Sequence, residues 1–329
     1  MSESQPQHTR REFLAQSALA GTILTAGIIP ARNTDAALRR NADPAAPKIQ
    51  VIDTHTHFYD PTRPEGVPWP GRDDKLLYRP VLPAEYRRLT ESEGVVGTVV
   101  VEASSWLEDN QWLLDLAKRE SIVVGVVGNL EPGSEKFAEN LDRFAANPLY
   151  RGIRIGHGLL KQRLSDQRFL DDLRRFASLR LTLDINGGPD MLPDIARLAT
   201  KLEKLKIVVN HLANVRIDGK APPKEWQQGM AAAAAGPNVW CKVSALVEGA
   251  SRPDDQSPSE LGYYQPVLDV AWETFGEKRL VYGSNWPVSA RFGSYATVQK
   301  LALEFAQKHG ADATRRILHD NAQVVYSRT

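Results

Sequence analysis

Two histidines stand two residues apart in Val51-Ile52-Asp53-Thr54-His55-Thr56-His57, at the end of a β-branched run. Side chains of a strand alternate faces, so an extended backbone sends His55 and His57 to one side with Asp53 below them. Two imidazoles presented together can hold one divalent ion or polarise one carbonyl; an edge strand with a solvated histidine pair is the plain alternative, and the pattern alone does not separate them. Further polar residues close other apolar runs: Glu102, Asn129, Arg154 and His157, Asp184 and Asn186, Asn210 and His211, Lys242 and Ser244, and Asn285 before Trp286-Pro287. Taken singly, each fits a structural role at a strand end. Gathered on one face, they would supply the acids, bases and cations that hydrolytic chemistry uses.

What would gather them is an alternation of short β-branched runs with stretches of helical spacing. Eight such runs recur, at 50–54, 95–102, 122–130, 152–155, 181–185, 206–210, 239–243 and 279–282. Between them, Trp112-Leu113-Leu114-Leu116-Ala117 and Phe169-Leu170-Leu173-Phe176-Ala177 repeat apolar residues at three- and four-residue spacing. Strands joined by helical crossovers imply a parallel sheet. The rhythm predicts a distorted (β/α)8 TIM barrel with chemistry at the C-terminal ends of its strands. A doubly wound open sheet is the competitor; it calls for a glycine-rich turn after the first strand, where this chain has His-Thr-His. The connection from Phe58 to Leu82 is long and carries Pro61, Pro64, Pro68, Pro70 and Pro80 around Trp69, as a functional lid or a proline-stiffened surface excursion would.

The chain has 329 residues, 42% hydrophobic and 25% charged, with a formal charge of +1. That composition suits a globular body and offers no basic surface for nucleic acid or anionic membrane. Residues 1–34 read as a twin-arginine-type export signal: Thr9-Arg10-Arg11-Glu12-Phe13-Leu14 precedes a mildly apolar stretch too short and too rich in small residues to serve as a stable membrane anchor. Residues 35–48 read as a linker and 49–329 as the enzyme body, placed by the signal in the periplasm. Cys241 is the single cysteine, so no intrachain disulfide forms; its apolar setting predicts a buried structural thiol.

The ordered set Asp53-Thr54-His55-Thr56-His57, Gly152-Ile153-Arg154, Asn210-His211-Leu212, Cys241-Lys242-Val243-Ser244 and Tyr282-Gly283-Ser284-Asn285-Trp286-Pro287-Val288 resembles the lactonase-like branch of the amidohydrolase-related family. The closing Leu318-His319-Asp320-Asn321-Ala322 resembles it too, so the likeness runs from Ile49 to Tyr326. It implies hydrolysis of an ester-like bond, with sugar lactones and pyrone dicarboxylate as the substrate types of the branch. By motif position His55, His57 and His211 would bind a divalent ion, for which their nitrogen ligands suit Zn2+, or polarise the substrate carbonyl directly. Arg154 would grip a carboxylate or a hydroxyl-rich substrate, and Lys242 would add charge near the oxyanion.

One departure changes the chemistry. Where the family pattern has aspartate, this chain has Asn285, and an amide cannot take a proton from water at neutral pH. Asn210 replaces another aspartate. The expected base therefore shifts to Glu102 first, with Asp184 and His211 behind it. Three readings follow: a metal-assisted lactonase, a metal-independent one in which Arg154, Lys242 and the histidines stabilise the oxyanion, or a barrel that only binds a sugar acid between Trp69, Trp106 and Trp286. Trp69, Asn129, His157, Asp184, Asn210 and Trp286 are the expected substrate contacts. The Trp69 loop and the polar segment Glu248–Tyr264 are the expected determinants of substrate choice, for a small-molecule substrate in every case.

Overall fold

The computed structural model describes residues 49–250 and 256–328; the export signal and linker read from the sequence lie outside them. Eight parallel strands run in chain order: β1 (Val51–Thr56), β2 (Val95–Val101), β3 (Val123–Gly128), β4 (Tyr150–Gly156), β5 (Thr182–Asn186), β6 (Lys206–Val209), β7 (Val239–Val243) and β8 (Leu280–Tyr282). Each neighbour in sequence is a neighbour in the sheet, which is barrel order and not the reversal of a doubly wound sheet. All the strand runs read from the sequence are strands.

The barrel closes irregularly. β8 is only three residues long, and the seam to β1 is made beyond it, where Asn285 N–H donates to the His55 carbonyl at 2.8 Å and His57 N–H to the Trp286 carbonyl at 2.9 Å. Gly283 is required at this seam, because a Cβ there would lie 2.7 Å from that of His55. Inside, Ile52, Val99, Val101, Val127, Val208 and Val281 pack with Ala322, Val325 and Tyr326 of the C-terminal segment. Burial of such aliphatic layers, at about 25 cal/mol per Å2, is what holds the strand ends in register.

The helices outside show the pattern that places them. In Gln167–Ser178 the buried residues Phe169, Leu170, Leu173 and Phe176 follow three- and four-residue spacing, and Asp166 caps the start by accepting from Arg168 N–H. The connection after β1 contains no helix or strand before Pro83, only a bridge between Tyr59 and Val81. Cys241 is buried, and burial pushes its thiol pKa up, away from nucleophilic use. Among the described residues no helix is long and apolar enough to cross a membrane.

Candidate active site

At the C-terminal ends of the strands lies a cavity of about 870 Å3. His57 from the end of β1, Glu102 after β2, Asn129 after β3, Arg154 on β4, His211 after β6 and Asn285 after β8 line it, with Trp69 from the long loop. Residues from across the sequence meet because every β-to-α turn exits on the same side of a parallel barrel. Several of these turns hold non-glycine residues in left-handed backbone: His211 through Asn214 with φ from 46° to 57°, Ala245 at 53° and Asn285 at 57°. Such conformations cost about 1–3 kcal/mol each and gather where geometry serves a site.

Beneath the cavity is a paired polar floor. His55 is fully buried, its ring 5.0 Å from that of His57 and 4.3 Å from that of His211. Lys242, also fully buried, donates to the Asp184 carboxylate at 2.7 Å, the Thr54 carbonyl at 3.0 Å and His55 Nδ1 at 3.2 Å. Three acceptors match the three N–H bonds of an ammonium. Burial still pulls the Lys242 pKa down, against the opposing pull of Asp184. Asp53 is braced in the same way, accepting from Tyr86 and Tyr295 hydroxyls and from the Ser284 and His55 N–H groups.

The hydrogen bonds fix the tautomers of His57 and His55. His57 Nδ1 faces the Val101 carbonyl at 2.9 Å; a carbonyl only accepts, so Nδ1 carries the proton and Nε2 the lone pair. Because the Lys242 ammonium only donates, His55 Nδ1 accepts and its proton sits on Nε2, which has no partner among the described residues. His211 Nδ1 pairs with the Ser244 hydroxyl at 2.8 Å. Burial, reinforced by Arg154, takes the His57 pKa down to about 3. Burial, reinforced by Lys242, holds His55 and His211 well below the usual histidine range. All three are neutral at pH 7.

This arrangement does not fit the three-histidine metal set expected from the sequence. Such a set needs three imidazole lone pairs converging on one point. His55 uses one lone pair on Lys242 and protonates the other nitrogen, a buried ammonium stands beside it, and among the described residues no three His, Cys, Asp or Glu side chains come together as a ligand group.

Other expected contacts also fall elsewhere. Asp184 is buried below the cavity and does not line it; Lys242 donates to it at 2.7 Å and the Tyr326 hydroxyl lies 3.0 Å from both of its carboxylate oxygens. Lys242 lies in the same layer, hydrogen-bonded to His55, and does not line the cavity. His157 turns away from the cavity to Asp194, with Nε2 at 3.0 Å. Trp286 is buried against Phe58 and Tyr86, and Trp106 stands 39% exposed outside the main cavity, leaving Trp69 and Phe292 as its aromatic wall. Asn210 is fully buried and does not line the cavity; nothing in the structure explains why both of its side-chain polar atoms lack partners. Glu102 does face the cavity, but Arg154 Nε donates to its Oε1 at 2.8 Å and Arg154 Nη2 to its backbone carbonyl at 2.7 Å. Burial raises its pKa and the guanidinium opposes that rise.

Sequence reasoning missed Glu248 as a site residue. It lies in the short helix Leu246–Gly249 after β7, lines the cavity, and accepts from Asn285 Nδ2 at 2.8 Å. Burial pushes its carboxyl up to about 7, against the lowering effect of its own backbone and of Asn285. Its sole signal was its place at the start of the polar segment after the seventh strand.

A parallel barrel whose mouth gathers imidazoles, carboxylates and a guanidinium has the architecture of amidohydrolase-type enzymes. The chain belongs to the amidohydrolase family, whose profile matches residues 52–328. It is 32% identical over 282 residues to an L-fucono-1,5-lactonase of Burkholderia ambifaria, spanning 82% of this chain and 93% of the relative. An L-fucono-1,5-lactonase of Burkholderia multivorans is 29% identical over 278 residues, spanning 81% and 92%. The crystal structure of a Burkholderia multivorans amidohydrolase with bound zinc superposes with a TM-score of 0.76 at 25% identity, covering 84% of this chain and 99% of that one.

Proposed function

We propose that this enzyme hydrolyses a neutral, hydroxyl-rich sugar-acid lactone. The observation that carries the reading is the charge of the cavity wall. Among its described residues Arg154 is the one lysine or arginine, already paired with Glu102, and it is set against Glu102, Glu131 and Glu248. A pyrone dicarboxylate would bring two negative charges to a wall with an excess of carboxylates. Desolvated like charges cost several kcal/mol. A sugar lactone brings hydroxyl groups instead, for which Ser104, Ser105, Asn129, Gln162, Asn186 and Asn214 supply donors and acceptors, while Trp69 offers an apolar face. The two L-fucono-1,5-lactonase relatives support the same substrate class.

In this reading the lactone carbonyl lies toward Arg154 and His211. The Arg154 guanidinium meets the charge that develops on the carbonyl oxygen. With the Ser244 hydroxyl donating to Nδ1, His211 keeps its proton on Nε2 and adds a second donor. Water adds to the ring carbon, the ring C–O bond breaks, and the product is the open hydroxy acid. The zinc bound in the Burkholderia multivorans structure makes metal content part of the test. Export to the periplasm is part of the proposal and rests on Arg10-Arg11 and the stretch after them.

The test is a panel of aldono-1,5-lactones beside 2-pyrone-4,6-dicarboxylate, run on protein of measured metal content with and without added Zn2+. The expected result is a kcat/KM for a sugar lactone at least about a hundredfold above that for the dicarboxylate. The reverse ranking overturns the substrate class, and no turnover of any lactone leaves only binding. Activity that tracks zinc content would require the histidines to leave the partners they have here.

A further inference from the structure

The site contains one carboxyl group whose hydrogen-bonding capacity is half used. Glu248 Oε1 accepts from Asn285 Nδ2 at 2.8 Å, while Oε2 has no partner among the described residues. A buried carboxyl left so costs stability, and such exceptions call for a reason. Glu102, the alternative, is held by the guanidinium of Arg154. Asn285 ties Glu248 to the histidines, for its Oδ1 lies 3.3 Å from His57 Nε2 and its left-handed backbone donates to the His55 carbonyl.

The amide contacts have a protonation logic. With His57 neutral and its proton on Nδ1, Nε2 presents a lone pair to Asn285 Oδ1, which is also an acceptor. That mismatch is relieved if the amide reverses and donates Nδ2–H to His57. Oδ1 then faces Glu248 Oε1, and the pair is satisfied when Glu248 carries a proton. The three residues are therefore fully matched only when Glu248 carries a proton, and the carboxylate form leaves two acceptors facing each other at the His57 end of the amide.

We infer that Glu248 is the general base of the hydrolysis, with Asn285 as a turnable amide that couples its protonation to His57. The inference rests on the lactonase reading above. Water attacks the ring carbonyl carbon and gives its proton to the Glu248 carboxylate, while the carbonyl π pair moves onto oxygen. Collapse of the tetrahedral adduct re-forms the carbonyl and breaks the ring C–O bond. The departing ring oxygen takes the proton from Glu248, which returns to carboxylate as the hydroxy acid leaves. Burial that lifts the carboxyl to about 7 suits a group that must both take and give a proton at neutral pH.

The experiment uses the full chain and the sugar lactone that the wild-type enzyme turns over. Failure of the wild type on every lactone would sink the lactonase reading itself, independently of Glu248. Given turnover, Glu248→Gln, which can still accept from Asn285, should lower kcat by about 10²–10⁴-fold with KM changed far less. Glu248→Gln within about threefold of wild type, or a large loss in Glu102→Gln alone, overturns the assignment by the same rule. The wild-type pH profile carries the test if the variant does not fold. Facing Glu248 are Asn285, the neutral His57 and His211, the Arg154–Glu102 pair, and the Tyr264 and Tyr282 hydroxyls, whose pKa values burial raises. kcat/KM should fall below an apparent pKa near 7, as one protonation, and a profile flat from pH 5 to 8 overturns the proposal.

Discussion

The floor and the wall of the barrel mouth use the same residue types for different ends. On the floor, Lys242, Asp184, His55 and Asp53 are fully buried, and Lys242 meets an acceptor with every N–H. On the wall, Glu248 keeps an unpaired oxygen and Arg154 faces a cavity large enough for a sugar. A charge whose partners are all inside the protein can orient its neighbours but has nothing left for substrate. Proximity to a reaction centre is therefore a weaker guide to role than unspent hydrogen-bonding capacity.

The sharpest way to break this contrast is to unpair the floor. Lys242→Met removes an ammonium and leaves the Asp184 carboxylate buried with only the Tyr326 hydroxyl beside it. Removing one partner of a buried pair costs about 3–5 kcal/mol, which should appear as a large drop in the urea midpoint or as failure to fold. A second substitution, Asp184→Leu, should recover much of that loss, because the stranded charge goes with it. A Lys242→Met protein as stable as the wild type would mean that the floor is not the sealed ion pair described here.

The wall should reveal itself through pH. Glu248 has its folded pKa raised from 4.5 to about 7, so between those values the folded chain holds a proton that the unfolded chain has lost. Stability from this group is full below pH 4.5 and falls as pH rises through about 7, by up to about 3 kcal/mol. The depressed histidines act in the opposite sense, with stability lost as pH falls below their unfolded value. The Glu248 contribution is therefore read as the difference between wild type and Glu248→Gln in denaturant titrations at pH 5 and pH 8. The variant should gain stability at pH 8 relative to wild type, and equal differences at the two pH values would contradict a buried, strained carboxyl.

These two layers also mark what the sequence discloses. The strand runs were legible because a strand buried on both faces has to be a short apolar stretch, and the histidines because their spacing matches the strand period. Asp184 and Trp286 were misplaced because a strand-end position does not say which layer of the barrel a side chain enters. His157 was misplaced because the turn after β4 swings it toward Asp194, a partner 37 residues away. Glu248 has no local sign beyond its place at the start of a polar segment: its significance comes from Asn285, also 37 positions distant and brought beside it by the closure of the barrel. Pairings of that kind are set by packing, which sequence periodicity does not encode.

The smallest effect is expected at His157, an expected substrate contact that the structure turns away from the cavity. His157 lies at the start of the helix His157–Arg163, its ring bonded through Nε2 to Asp194 at 3.0 Å and near Asp190 through Nδ1 at 3.4 Å. It does not line the cavity, so its bond to Asp194 fastens one helix of the outer ring to another. Asp194→Asn keeps the shape and an acceptor while removing the charge. It should cost no more than about 1 kcal/mol of stability, by the usual worth of a partly buried hydrogen bond, and leave lactone turnover within about twofold. A loss of turnover without a loss of stability would instead place His157 in communication with the cavity and erase the distinction between a strand-end histidine that faces substrate and one that holds the barrel's outer ring together.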